Sequence, residues 1–273
     1  MKARSNFVLI AMFFGYAFLY LPIVLLIVFS FNDSRIPTVW NGFSLRWYAA
    51  LLENEQVLQA AWLSLRIAFV SATAATVLGT LAGIALHQMG RFRGRLLFAA
   101  LIAAPLVMPE VITGLSLLLL FITSEQTIGW PVTRGALTIT IAHITFSMAF
   151  VAVIVQSRLV TLDRSMVEAA MDLGGRPFRV TLDITLPLIA PALLASWLLA
   201  FTLSLDDLVI ASFVSGPGAN TLPMVIFSKV RLGVAPDINA LATIVIGLVG
   251  LGVLIAGYVM LSQERQRLRG QQR

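Results

Sequence analysis

The chain has 273 residues, 59% hydrophobic and 12% charged, with a mean hydropathy of +0.92. A soluble domain cannot hide that much apolar surface, whereas a bilayer can. There is no cysteine, and the two histidines, His87 and His143, lie far apart. Disulfide frames, thiolate metal sites and local histidine motifs are therefore excluded. The net charge of +6 resides in basic residues clustered at the ends of apolar runs, which is a topology signal rather than a nucleic-acid surface.

The first apolar run covers about residues 7–31 and follows Met-Lys-Ala-Arg. It is longer than a signal-peptide core and has no small-x-small cleavage site at its end. It reads as a retained span with Pro22 inside it. Residues 32–58 carry Asp33, Arg35, Glu53 and Glu55 with Trp40, Trp47 and Tyr48, aromatics that suit a membrane interface. Span two is about residues 59–86, with Arg66 near one end and Gly79-x-x-x-Gly83 as a close-packing pattern. Residues 87–95 form a basic turn.

The third run, about residues 96–122, is interrupted by Pro105 and Pro109, with Glu110 directly after. Proline frees backbone carbonyls, so this region should face protein or a water-filled cavity. A charge at a helix centre in hydrocarbon costs about 2.5–3.5 kcal/mol. Glu110 therefore lines a path, pairs with a cation, or caps the half-helix that starts after Pro109. Residues 123–134 make a turn, and residues 135–156 form span four, with His143 among Thr140, Thr145 and Ser147. A histidine there either hydrogen-bonds to a neighbouring helix or takes a direct role.

Residues 158–187 are a polar stretch between two apolar blocks. Val167, Ala170, Met171, Leu173 and Gly174 describe one short helix, with Glu168 and Asp172 on another face. Gly174-Gly175 stops it, Pro177 opens a second short helix, and Pro187 marks the next span. The result is a compact knob, not a tether. Span five, about residues 188–213, contains Asp206-Asp207. Adjacent helix positions point about 100° apart. One acid therefore faces a passage and the other a neighbouring helix or the interface. Residues 215–238 form a loop segment with Lys229 and Arg231, span six covers about residues 239–261, and the tail carries four arginines. The termini, the basic turn and the knob hold thirteen of the nineteen Lys and Arg. Six spans place all of these on one side, and the positive-inside rule makes that side cytoplasmic.

The knob resembles the EAA loop of ABC importer permeases through Glu168-Ala169-Ala170, Gly174, Ile184 and Leu186-Pro187. Residues 104–114, 201–213 and Thr221-Leu222-Pro223-Met224 resemble the same places in polyamine-type permeases, putrescine permeases most closely. Residues 40–48 look like the first external loop of that type. The likeness covers nearly the whole chain. It implies an all-α, multi-pass protein of the bacterial inner membrane with the type I ABC importer permease fold and both termini cytoplasmic. It further implies one transmembrane domain over residues 1–273, with residues 158–187 as a coupling loop inside it.

In that family Glu168, Ala169, Ala170, Gly174, Leu186 and Pro187 would meet the ATPase. A polyamine path would run along Glu110, Asp206 and Asp207, with Trp197, Phe201 or Phe213 adding cation–π contact. No catalytic residue and no metal site are expected. No phosphate-binding Gly-x-x-x-x-Gly-Lys-[Ser/Thr] loop occurs, so no cofactor is expected in this chain, and ATP and Mg would belong to a partner ATPase. The implied assembly has a second, different permease, two ATPases and a periplasmic polyamine-binding protein. The doubled Gly174-Gly175 is expected to loosen the knob slightly. The rival readings are an ABC permease for another solute and an ion-coupled secondary transporter in which Glu110, Asp206 and Asp207 carry protons. A membrane-embedded enzyme ranks last, because the chain lacks a paired nucleophile and base.

Overall fold

A computed structural model describes residues 2–34, 36, 39–90, 92–232, 236–247, 250, 251 and 258. In chain order the helices are α1 (Lys2–Ser30), α2 (Arg46–Leu52), α3 (Glu55–Gln88), α4 (Arg95–Val107), α5 (Glu110–Ile128) and α6 (Ala136–Val160). They continue with α7 (Arg164–Asp172), α8 (Pro177–Val180), a π-helical turn (Thr181–Thr185), α9 (Leu186–Asp206), α10 (Val209–Val214) and α11 (Leu222–Leu232). A last short apolar helix, α12, spans Pro236–Gly247. Among the described residues, five helices are long and apolar enough to cross a membrane: Val8–Ser30, Glu55–Gln88, Glu110–Ile128, Ala136–Val160 and the run Pro177–Asp206. The sixth expected span begins in α12. Most of it beyond Gly247, and the basic tail, lie outside the described residues.

The chain divides into two compact units, residues 1–58 with 226–273, and residues 59–225. In the first, Asn32 organises the segment after α1. It is 1% exposed. Its amide donates to the Val39 carbonyl at 2.7 Å, and its side-chain oxygen accepts from the Ser34 and Asn41 N–H groups at 3.2 and 3.0 Å. Trp47 Nε1 donates to the Asn32 carbonyl at 2.8 Å, and Tyr48 Oη bonds Ser30 Oγ at 2.7 Å. These aromatics therefore fix the entry to α2, beyond any anchoring at an interface. Lys229 pairs with Asp237 between α11 and α12.

The second unit is built on small residues. In a bilayer, helices gain little by hiding apolar surface from lipid, so close van der Waals packing must hold them. A Cβ on Gly79 would lie 2.6 Å from Val151 Cβ, and one on Gly83 would lie 3.0 Å from Val155 Cγ1. The small-x-x-x-small pattern is thus the seam between α3 and α6. Ala72 and Ala75 of α3, Val151 and Val155 of α6, and Ile189 and Ala200 of α9 form one buried cluster. Ile67, Phe121, Ile139, Phe146, Ile210 and Val214 join α3, α5, α6 and α10 in another. At Gly114 a Cβ would come 2.8 Å from Phe213 Cδ2, so α5 lies hard against α10.

The interruption expected in the third run is present, and the bounds of span five differ from the sequence reading. The third run is two separate helices, because Met108 and Pro109 are extended between α4 and α5. Span five begins earlier than expected and ends earlier. Its helix runs from Pro177 to Asp206 and breaks at Asp207, whose backbone is extended at φ −65°, ψ 124°. Pro187 stands in the first turn of α9, but the chain is already helical before it. It has no N–H to give the Asp183 carbonyl and its ring crowds that group. The turn before it widens, and Leu186 N–H donates to Thr181 O instead.

Candidate functional site

The knob comprises α7, a two-glycine turn and α8. Asp163 caps α7, accepting from Ser165 N–H at 2.9 Å. The two hydrogen bonds from Ser165, backbone first and side chain second, hold its carboxyl below the ordinary carboxylate value. At the other end Gly174 takes φ +85°. Gly174 N–H donates to Met171 O at 2.9 Å and Gly175 N–H to Ala170 O at 3.0 Å, the paired bonds of a Schellman closure. Gly175 is not a source of looseness, contrary to expectation. A Cβ there would stand 2.6 Å from Ala170 O and 2.8 Å from Val180 Cγ2. Its missing side chain lets α7 and α8 touch.

Glu168 and Ala169 are exposed, Ala170 and Leu186 are half-buried, and Pro187 is exposed. Leu186 packs on the α3–α6–α9 core. Glu168, Val167 and Met171 line a cleft of about 360 Å³ together with His87, Leu159 and Thr185. The knob thus stands over the ends of α3 and α6. Its rim offers Leu173, 90% exposed, and Phe178, 74% exposed. Both are large apolar side chains displayed on an otherwise polar element.

The second cluster lies at the break between α9 and α10. Asp207 accepts from Ile210 N–H at 3.2 Å and Ala211 N–H at 2.7 Å, capping α10. Its Oδ2 also lies 3.1 Å from Nε2 of His143 in α6. Nδ1 of His143 is 2.6 Å from Ser204 Oγ in α9, and Ser71 Oγ of α3 is 2.9 Å from the same hydroxyl. Asp206 is the last helical residue of α9 and is exposed. It ends an exposed stripe of Pro191, Leu194, Leu198 and Thr202.

The other expected passage residues fall in three places. Glu110 opens α5 directly after Pro109 and is exposed. A carboxylate there complements the positive end of the helix, which agrees with the capping alternative and leaves the side chain accessible. Trp197 donates Nε1–H to Thr73 Oγ1 at 3.1 Å, stacks on Phe201 at 5.4 Å and meets Phe69 edge-on at 5.7 Å. These three rings form one aromatic group between α3 and α9. Phe213 belongs elsewhere, against Gly114. The sequence reading singled out neither Ser71 nor Ser204 and left His143 open. They and Asp207 form the most buried polar cluster of the unit.

A multi-pass helical unit with a compact polar knob between two of its helices is the architecture of a membrane permease. The family described as binding-protein-dependent transport system inner membrane component matches residues 75–268. The chain is 57% identical over 270 residues to the putrescine transport system permease protein PotI of Escherichia coli (strain K12), covering 99% of this chain and 96% of that protein. It is 45% identical over 232 residues to the spermidine/putrescine transport system permease protein PotC of the same strain, covering 85% of each. A solved bacterial ABC transporter involved in import of the acidic polysaccharide alginate shares the fold, with TM-score 0.72 at 16% identity over 94% of this chain and 96% of that one. The chain belongs to the family of inner-membrane components of binding-protein-dependent transport systems, with the ABC importer permease fold.

Proposed function

We propose that this chain is the permease subunit of an ATP-driven importer that moves a polyamine, putrescine foremost, from periplasm to cytoplasm. The near-full-length identity to a putrescine permease carries the substrate assignment. Polyamines are elongated cations, and acids placed along a passage stabilise them without holding them if each contact is weak. Asp206 and Glu110, both exposed at helix ends, suit that task. The aromatic group around Trp197 and Phe201 would add cation–π attraction.

Energy would come from two partner ATPases that bind ATP and Mg. The knob would dock on one of them through Leu173, Phe178 and the Glu168 face. The basic termini, turn and knob would then lie in the cytoplasm, as the charge distribution favours. A second, different permease would complete the passage, and a periplasmic binding protein would deliver the polyamine. Closure of the ATPases would move the knobs and switch the helices between inward- and outward-facing states.

The test is uptake of labelled putrescine by the assembled transporter in proteoliposomes, with ATP inside and binding protein outside. Uptake should require both and should persist when ion gradients are collapsed. Uptake abolished by an ionophore, yet indifferent to ATP, would establish the ion-coupled transporter instead.

A further inference from the structure

The hydrogen bonds around His143 follow a definite proton pattern. An ionised Asp207 can only accept, so Nε2 of His143 carries a hydrogen and donates it. In a neutral imidazole Nδ1 is then bare and accepts the Ser204 hydroxyl proton, leaving the Ser204 oxygen to take the proton of Ser71. With the two N–H groups of α10, Asp207 has three of its roughly four acceptor positions committed. Its side chain is 8% exposed and that of His143 is 2% exposed. It has little left to offer a passing ammonium group. A passenger that drew it away would also uncap α10 and strip His143 of its partner, which makes release slow.

Asp206 is in the opposite situation. It is exposed, and among the described residues it has no ion-pair partner. It also terminates α9, where the last carbonyls and the helix dipole present negative charge. Half-helix ends of this sign are used by transporters to meet cations. The adjacency of the two acids reflects two tasks, one on each side of a helix break.

We infer that the carboxylates divide the work. Asp207, held by His143, is a positioning residue that fixes the α9–α10 break. Asp206, presented by that break, is the acid a polyamine ammonium meets. The inference rests on the cation-passage reading above and narrows it. Ser204 and Ser71 extend the positioning group into α3, so the break is registered against α3 and α6 at once.

The experiment measures initial putrescine uptake per assembled complex in proteoliposomes. Asp207→Ala and His143→Ala should each lower uptake about tenfold, and the double variant should fall no further than the worse single one, because both remove the same unit. Asp207→Asn should recover uptake to within about threefold of the parent, since an Asn oxygen in the Oδ2 place keeps the bonds from Ala211 N–H and His143 Nε2–H and gives up only the longer one from Ile210 N–H. Asp206→Asn, which removes the charge and leaves the shape, should lose about tenfold.

If Asp207→Asn loses as much as Asp206→Asn, the division of labour is wrong while the acidic passage stands. If Asp206→Asn transports normally, the division is overturned and Asp206 leaves the passage, and the importer assignment is still decided by its ATP requirement. Should Asp207→Ala fail to assemble, the comparison of the two Asn variants decides alone.

Discussion

Gly79→Ala probes the α3–α6 seam with a single methyl group. The new Cβ would stand 2.6 Å from Val151 Cβ, 2.8 Å from Val151 Cγ1 and 2.8 Å from the Met148 carbonyl oxygen. Carbon atoms settle at about 3.5–4.0 Å, so the helices must part by about 1 Å. Neither the carbonyl nor Val151 Cβ can rotate aside. Overpacking a close-packed interior costs about 1–3 kcal/mol, and alanine returns up to about 1 kcal/mol of helix propensity. The net expectation is a loss of about 1–2 kcal/mol. Gly83, one turn on, supplies the control. There the nearest atoms are Val155 Cγ1 at 3.0 Å and Ala152 O at 3.1 Å, and a shift of a few tenths of an ångström relieves them. Strain and propensity nearly cancel, so Gly83→Ala should be close to neutral. The assay is SDS-titrated unfolding of each variant in mixed micelles. A Gly79→Ala protein as stable as Gly83→Ala would refute the argument that this seam sets the helix separation.

Two further expectations concern the knob. Gly174→Ala forces a side chain into a left-handed conformation at φ +85°, at about 1–2 kcal/mol. It should weaken co-purification of the partner ATPase while leaving the amount of membrane-inserted chain unchanged. Asp163 has a carboxyl held below the ordinary 3.8, so its contribution to α7 is fully present above that value. The contribution is lost as pH falls through the lower folded value. Amide exchange in α7 should therefore quicken in acid. Asp163→Asn should retain the cap and abolish that pH dependence, and a pH response surviving in the Asn variant would assign it to another group.

Much of this architecture was legible because membranes impose simple patterns. Apolar length revealed the long helices, and the spacing of Gly79 and Gly83 revealed their seam. Local turn chemistry revealed the knob, since Gly174 and Pro177 act within a few residues of themselves. The end of span five was not legible. Apolar residues resume directly after Asp206-Asp207, from Leu208 to Ala211, and nothing in their periodicity says that Asp207 caps the next helix. The partnership of His143 with Ser204 and Asp207 joins positions 61 and 64 apart in sequence. A single sequence can suggest that a buried histidine needs partners, but not which residues tertiary packing will bring to it. Gly175 was misjudged for a related reason. Flexibility was inferred from glycine in isolation, whereas the contact with Val180 makes it a point of closure.

The helix from Pro177 to Asp206 is 30 residues long, about 45 Å at 1.5 Å per residue. It forms one continuous shaft that starts in the knob and ends at Asp206. Its wide turn at Thr181–Thr185 therefore sets an angular phase. Adding or deleting a residue there would rotate everything downstream by about 100°, turning Asp206 and its stripe together relative to the knob. The residue count of that turn, more than its chemistry, sets the angle of Asp206 about the shaft relative to the knob.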